Sequence, residues 1–188
     1  MTEWRTVDIV FASVIAAICG VINWAWSFLT SVFLFPITAF FQPIQAFFEG
    51  GWLLAGVLGG LIIRKPGAAF FTELVAATIS MIFGTQWGFE VLLWGAIQGI
   101  TTEIVFALFR YRNWSLTVAI FAGVGAAIGD SILYQVIVYV AWAPSWRILA
   151  FILTLISGAF IAGAGAYILA KKLAKTGVLA QFESGYLK

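Results

Sequence analysis

The strongest constraint on this chain is that its apolar runs are as long as a bilayer is thick and follow one another almost without interruption. Runs near 6–28, 44–63, 67–84, 89–110, 114–141 and 147–173 are broken only by glycine, proline or small groups of charge. A helix that crosses the hydrocarbon needs ~20 mostly apolar residues, because every backbone N–H and C=O must be paired internally there. Six such runs in 188 residues leave little for loops and no soluble domain. Composition agrees: 63% of residues are hydrophobic and 10% charged, against roughly 25% charged in soluble domains. The chain is therefore expected to be an all-α integral membrane protein, one membrane domain over 1–188 with six transmembrane helices. Segment 29–43 is also apolar, but Pro36 divides it and Pro43 ends it. Proline removes a helical hydrogen bond and clashes with the preceding turn, so a capping or re-entrant segment is expected there.

Charge is sparse and sits at the ends of the runs, where it reports topology. With six helices, Arg5, Arg64, Lys65, Arg110, Arg112, Lys171, Lys172, Lys175 and Lys188 fall on one side and Arg147 alone on the other. Lys and Arg accumulate on the cytoplasmic side, which places both termini in the cytoplasm and the loops after helices 1, 3 and 5 outside. The first run offers a poor cleavage site and reads as an uncleaved helix. A net charge of +2 supplies no patch for nucleic acid. With no histidine and one cysteine, Cys19, intrachain disulfides, Cys/His zinc sites and histidine-based catalysis are excluded. No Gly-x-x-x-x-Gly-Lys-Ser/Thr loop is present, so ATP-driven work requires a partner. No cofactor is implied.

Small residues recur at fourfold spacing: Ala12, Ala16 and Gly20; Gly56 and Gly60; Gly125 and Gly129; Gly158, Ala162 and Ala166. Such ridges let helix backbones approach closely in lipid. The ridge on helix 1, in a helix with few polar residues in its first half, is expected to dock another membrane subunit.

The polar residues sort by depth into two sets. Glu73 and Glu103 fall at similar inner depths, within reach of Arg64 and Arg110, and read as structural acids paired with snorkelling arginines. A second set gathers toward the outside: Gln42, Gln45 and Glu49; Gln86, Trp87, Glu90, Trp94 and Gln98; Asp130, Tyr134, Gln135 and Tyr139; Trp142 and Trp146. Glu90, Trp94 and Gln98 are spaced i, i+4, i+8 and share one helical face. Acids, amides and rings around one cavity suit a small, flat, cationic ligand: carboxylates neutralise it, ring faces attract it, and amides read ring nitrogens. Two other readings use the same acids. A channel or secondary carrier would line a pathway with them, and a membrane-embedded hydrolase would poise two together, Glu73 with Glu103 or Glu90 with Asp130.

The blocks EGGWLLAGVLGGLIIRKPGAAFFTELVAA and GTQWGFEVLLWGAIQGITTEIVFALFRYRNW resemble the YkoE family of S components, the substrate-capturing membrane subunits of energy-coupling factor (ECF) vitamin transporters. The resemblance runs from Phe11 to about Lys172. It implies a six-helix S-component bundle in a bacterial cell membrane and a ligand of the thiamine or hydroxymethylpyrimidine kind. It also implies partners, a transmembrane coupling subunit and cytoplasmic ATPase subunits, with Ala12 and Ala16 matching the small-residue face that meets the coupling subunit. In thiamine-binding relatives, rings and a glutamate near the outer ends of helices 4 to 6 hold the ligand, and Glu90 and Trp94 match by position. The histidine used in one thiamine-binding branch has no counterpart.

Overall fold

The computed structural model describes residues 3–186, and every regular element among them is helical. Helix α1 spans Thr6–Leu29 and runs through a π-helical turn, Thr30–Leu34, into the short α2, Phe35–Thr38. The remaining α-helices are α3 Leu54–Ile63, α4 Ala68–Ile82, α5 Glu90–Leu108, α6 Leu116–Leu133, α7 Pro144–Ser157 and α8 Gly165–Lys175. Four helical stretches are long and apolar enough to cross a membrane: Thr6–Ile63, Glu90–Leu108, Leu116–Val138 and Pro144–Lys175. Ala68–Ile82 is apolar but shorter. Ile9, Val14, Ile18, Phe28, Ile104, Leu108, Ile152 and Phe160 are all exposed on the helix surfaces, an exterior that suits lipid. The chain is a multi-pass membrane protein.

The two prolines shape the segment after α1 differently from a simple loop. Pro36 stands in the first turn of α2, which continues α1 through the π-turn, so its missing N–H falls inside a helical run and leaves one carbonyl of the preceding turn without that donor. The π-turn just before it shifts the hydrogen-bond register, and the hydroxyls of Thr30 and Ser31 donate to the carbonyls of Trp26 and Ser27, each at 2.8 Å. Ala39–Gly51 follows as 3₁₀-helix, with Pro43 inside it and a kink at Phe41 (φ −145°, ψ 75°). The run over 44–63 is thus divided, and α3 starts only at Leu54. Its first N–H groups consequently lie well inside the bundle, where Glu73 of α4 accepts a hydrogen bond from Gly56 N at 2.6 Å.

That contact changes the reading of the inner acids. Glu103 of α5 accepts from the backbone N–H of Gly67 (2.7 Å), Ala69 (2.9 Å) and Phe70 (3.3 Å), and from the Tyr111 hydroxyl (2.7 Å). It supplies the cap that the N-terminus of α4 lacks, since the N-cap residue is Gly67, and a carboxylate is well placed there by charge. Burial and the adjacent Glu103 raise the Tyr111 phenol above its ordinary range, so it remains a donor. Among the described residues neither Glu73 nor Glu103 forms an ion pair with arginine. Arg64 instead donates to Leu61 O at 3.2 Å and lies over the Trp114 ring at 5.5 Å. The ion pairs found are those of Asp8, buried, with Arg5 at 2.9 Å and with Lys65.

The ridge on α1 faces inward, which corrects the expectation that it docks a second subunit. Ala12 and Ala16 have 0% exposure, and a Cβ on Gly20 would come within 2.7 Å of Ala76 O and Ile79 Cβ on α4. These three small residues allow α1 and α4 to meet nearly backbone to backbone, and none is available to another chain. Gly123 and Gly158 do the same between α6 and the π-helical stretch Gly158–Ala164, where a side chain on Gly158 would strike Gly123 O. The C-terminal stretch folds back on this end of the bundle: Phe182 packs on Phe11 at 4.8 Å between centroids, and Ser184 Oγ donates to Ile62 O at 2.9 Å.

Candidate ligand-binding cavity

The division before α3 brings the 3₁₀ segment, α4, α5 and α6 together around a narrow cavity of about 30 Å³, nearly closed over by its own wall residues. Small-molecule sites are typically roughly 300–1,000 Å³, so a ligand of that class enters only if the rings and the 3₁₀ segment over the cavity move apart. On α5, Trp94 and Gln98 lie one turn apart and both are buried, and Gly95 beside them lets α5 close on Ala77 of α4. On α6, Asp130 accepts from Gln98 Nε2 at 2.7 Å through Oδ1. Its other oxygen, Oδ2, has no partner within the protein, and neither has the buried indole N–H of Trp94.

Rings close the cavity. Trp94 and Tyr134 meet with centroids 4.5 Å apart, and Trp87 stands 6.3 Å from Trp94 and 6.4 Å from Tyr134 in an edge arrangement with the latter. Behind Tyr134, Tyr139 packs at 5.1 Å and is itself stacked on Trp142 at 4.0 Å. Trp52 completes the wall, its indole N–H held by Ser27 Oγ at 2.8 Å.

The electrostatics are one-signed. Glu49, Glu73 and Asp130 line the cavity at 3%, 1% and 1% exposure, and no Lys or Arg does. Buried carboxylates are costly unless paired or hydrogen-bonded. Glu73 has the Gly56 N–H and Asp130 has the Gln98 amide on one oxygen only. Arg147 is turned away into a reciprocal clamp with Gln135, donating to its Oε1 at 2.7 Å and its carbonyl at 3.0 Å while Gln135 Nε2 donates to Arg147 O at 3.0 Å. Three acids with no base among the lining residues suit a cation, and one unpartnered acceptor and one unpartnered donor suit a planar polar group.

A family model described as "ABC-type cobalt transport system, permease component" matches residues 7–129. The Bacillus subtilis (strain 168) protein YkoE, whose assignment as an HMP/thiamine permease is itself provisional, is 33% identical over 184 residues, 95% of this chain and 89% of that one. The chain belongs to the YkoE family. A crystal structure of an S component of an ECF transporter superposes with a TM-score of 0.85 at 30% identity, covering 97% of this chain and 92% of the other. This YkoE-family chain therefore has the S-component fold, and its relatives are transporter subunits, not enzymes.

Of the residues singled out by sequence, the YkoE-family fold brings Glu49, Trp87, Trp94, Gln98, Asp130 and Tyr134 to one cavity, with Tyr139 directly behind. It does not bring Glu90, which is exposed as the first residue of α5. Gln86 is exposed beside a separate hollow that it lines with Trp24, Ser27, Phe28, Ser31, Gly84 and Thr85. Gln45 is half-buried and donates to Phe35 O at 3.2 Å. Three polar or aromatic wall residues were not anticipated: Asn23, Trp52 and Glu73. Asn23 had a signal, an amide one turn from Ser27 in an otherwise apolar helix; Glu73 had one only for a reader who knew that α3 starts deep.

Proposed function

We propose that this chain is the substrate-binding S component of an ATP-driven ECF importer and captures thiamine or its hydroxymethylpyrimidine precursor from outside. The observation that carries the reading is the pair of buried orphan atoms, Asp130 Oδ2 and Trp94 Nε1, facing a cavity with three carboxylates and no base. An aminopyrimidine presents an N–H donor beside a ring-nitrogen acceptor, the complement of that pair. The thiazolium of thiamine is a flat cation, and the Trp94, Tyr134 and Trp87 faces attract such a group by ~0.5–2 kcal/mol per well-placed ring. One of the neighbouring acids, Glu49 or Glu73, supplies the single counter-charge that a thiazolium requires.

The description of the matching family model as a cobalt permease raises a metal cargo as a second reading. Among the described residues, no three of His, Cys, Asp or Glu stand close enough to hold a metal ion. The cavity is walled with rings, which favours an organic ligand. The six-crossing topology with both termini cytoplasmic is part of this proposal. It is supported by the packing of Phe182 on Phe11 at one end and by the collection there of Arg5, Lys65 and Asp8.

Energy comes from partners in this reading, a transmembrane coupling subunit and ATPase subunits. Liposomes holding the chain alone then bind radiolabelled thiamine but do not accumulate it, and accumulation requires the partners and ATP. Accumulation or ion conduction by the chain alone would establish the channel or carrier reading instead.

A further inference from the structure

A second groove, far along the chain from the acidic cavity, lies between α8 and the start of α6. It is lined by Leu116 of α6 and by one face of the helix leading into and through α8, ending in Lys171, Lys172 and Lys175. It is open along one side and has a volume of about 350 Å³. Ala164, Tyr167, Ile168, Lys171, Lys172 and Lys175 are spaced i, i+3, i+4, i+7, i+8, i+11, a single helical face. That face is apolar over its first half and cationic over its second, across ~16 Å of helix.

We propose that this groove holds one anionic phospholipid, its acyl chain along Leu116, Ala164 and Ile168 and its phosphate at Lys171, Lys172 and Lys175. Three observations select this occupant. The groove belongs to Pro144–Lys175, a stretch long and apolar enough to cross the membrane and ending at the lysines, so the ammonium groups stand at the level of lipid phosphates. Among the described residues none of the three lysines has an acidic partner, the ion pairs being those of Arg5 and Lys65 with Asp8. The apolar half extends from the lysines toward hydrocarbon depth, which a lipid tail fills and a free anion or a soluble acidic partner does not. Basic pockets between transmembrane helices bind anionic headgroups on this principle.

The test is native mass spectrometry of the purified chain with equimolar phosphatidylglycerol and phosphatidylcholine. Wild type should retain one phosphatidylglycerol in preference to phosphatidylcholine. The triple variant Lys171→Gln, Lys172→Gln, Lys175→Gln should retain it roughly 100-fold more weakly, on the increment expected per surface lysine, with phosphatidylcholine unchanged. Ile168→Trp, which keeps every charge and fills the apolar half, should also lower retention, and Arg112→Gln, outside the groove, should not. The proposal is overturned if Arg112→Gln lowers retention as much per charge as the lysine variants, if glycerol phosphate alone binds as well as the lipid, or if the triple variant keeps its lipid.

Discussion

Asp130→Asn is the most informative single change, because it removes one charge while leaving shape and one hydrogen bond in place. The Gln98 amide donates to Oδ1 at 2.7 Å, and an asparagine carbonyl at that position still accepts it. The change falls on Oδ2, the oxygen without a protein partner, which becomes an NH₂ donor facing the ligand's own donor. One charge-assisted hydrogen bond is worth about 1.5–3 kcal/mol, and each 1.4 kcal/mol is tenfold in affinity, so thiamine or hydroxymethylpyrimidine should bind roughly 10- to 150-fold more weakly. The ligand-free fold should not suffer, because a buried carboxylate is replaced by a neutral isostere. Isothermal titration in detergent micelles gives the affinity, and a melting curve on the same sample reports the fold. An unchanged melting temperature with affinity within threefold of wild type would refute the assignment of Asp130 Oδ2 to the ligand.

Trp94→Phe keeps the ring against Tyr134 and deletes the unpartnered N–H; it should weaken binding about 2- to 10-fold, the worth of a neutral hydrogen bond, in the same titration. Glu90→Gln should change affinity less than threefold, since Glu90 is exposed and outside the cavity lining; a larger loss would return Glu90 to the role its helical face suggests. Glu103→Gln should leave ligand affinity alone but weaken the cap on α4 by about 1–2 kcal/mol, lowering the melting temperature by about 2–8 °C for a chain of this size. A melting temperature equal to wild type would show that the three backbone bonds to Glu103 contribute nothing.

The all-helical class was legible because lipid imposes it on long apolar runs, but the number of crossings was not, since the run over 44–63 is divided before α3 and Ala68–Ile82 is short. The centre of the cavity was legible too, since Trp94 and Gln98 share a face of α5 and depth counting puts Asp130 and Tyr134 at a matching level. Glu73 was read as an arginine-paired acid because nothing in the sequence says that α3 begins at Leu54 inside the bundle and offers the Gly56 N–H to that acid. Glu90 falls outside the cavity lining for a related reason: a shared helical face says which way a side chain points but not whether the end of the helix clears the protein. Ala12, Ala16 and Gly20 show the limit of ridge patterns, which announce close packing without naming the neighbour, here α4.

The central claim is that the acidic, ring-walled cavity captures a thiamine-like ligand unaided. The most direct measurement is an equilibrium titration of the purified chain alone with thiamine and, separately, hydroxymethylpyrimidine, read by intrinsic tryptophan fluorescence, with Trp52, Trp87 and Trp94 in the cavity wall. Saturable quenching at one ligand per chain by at least one of the two, lost together with binding in Asp130→Asn, is the predicted result. No saturable change with either compound, from protein with a wild-type melting transition, would contradict it.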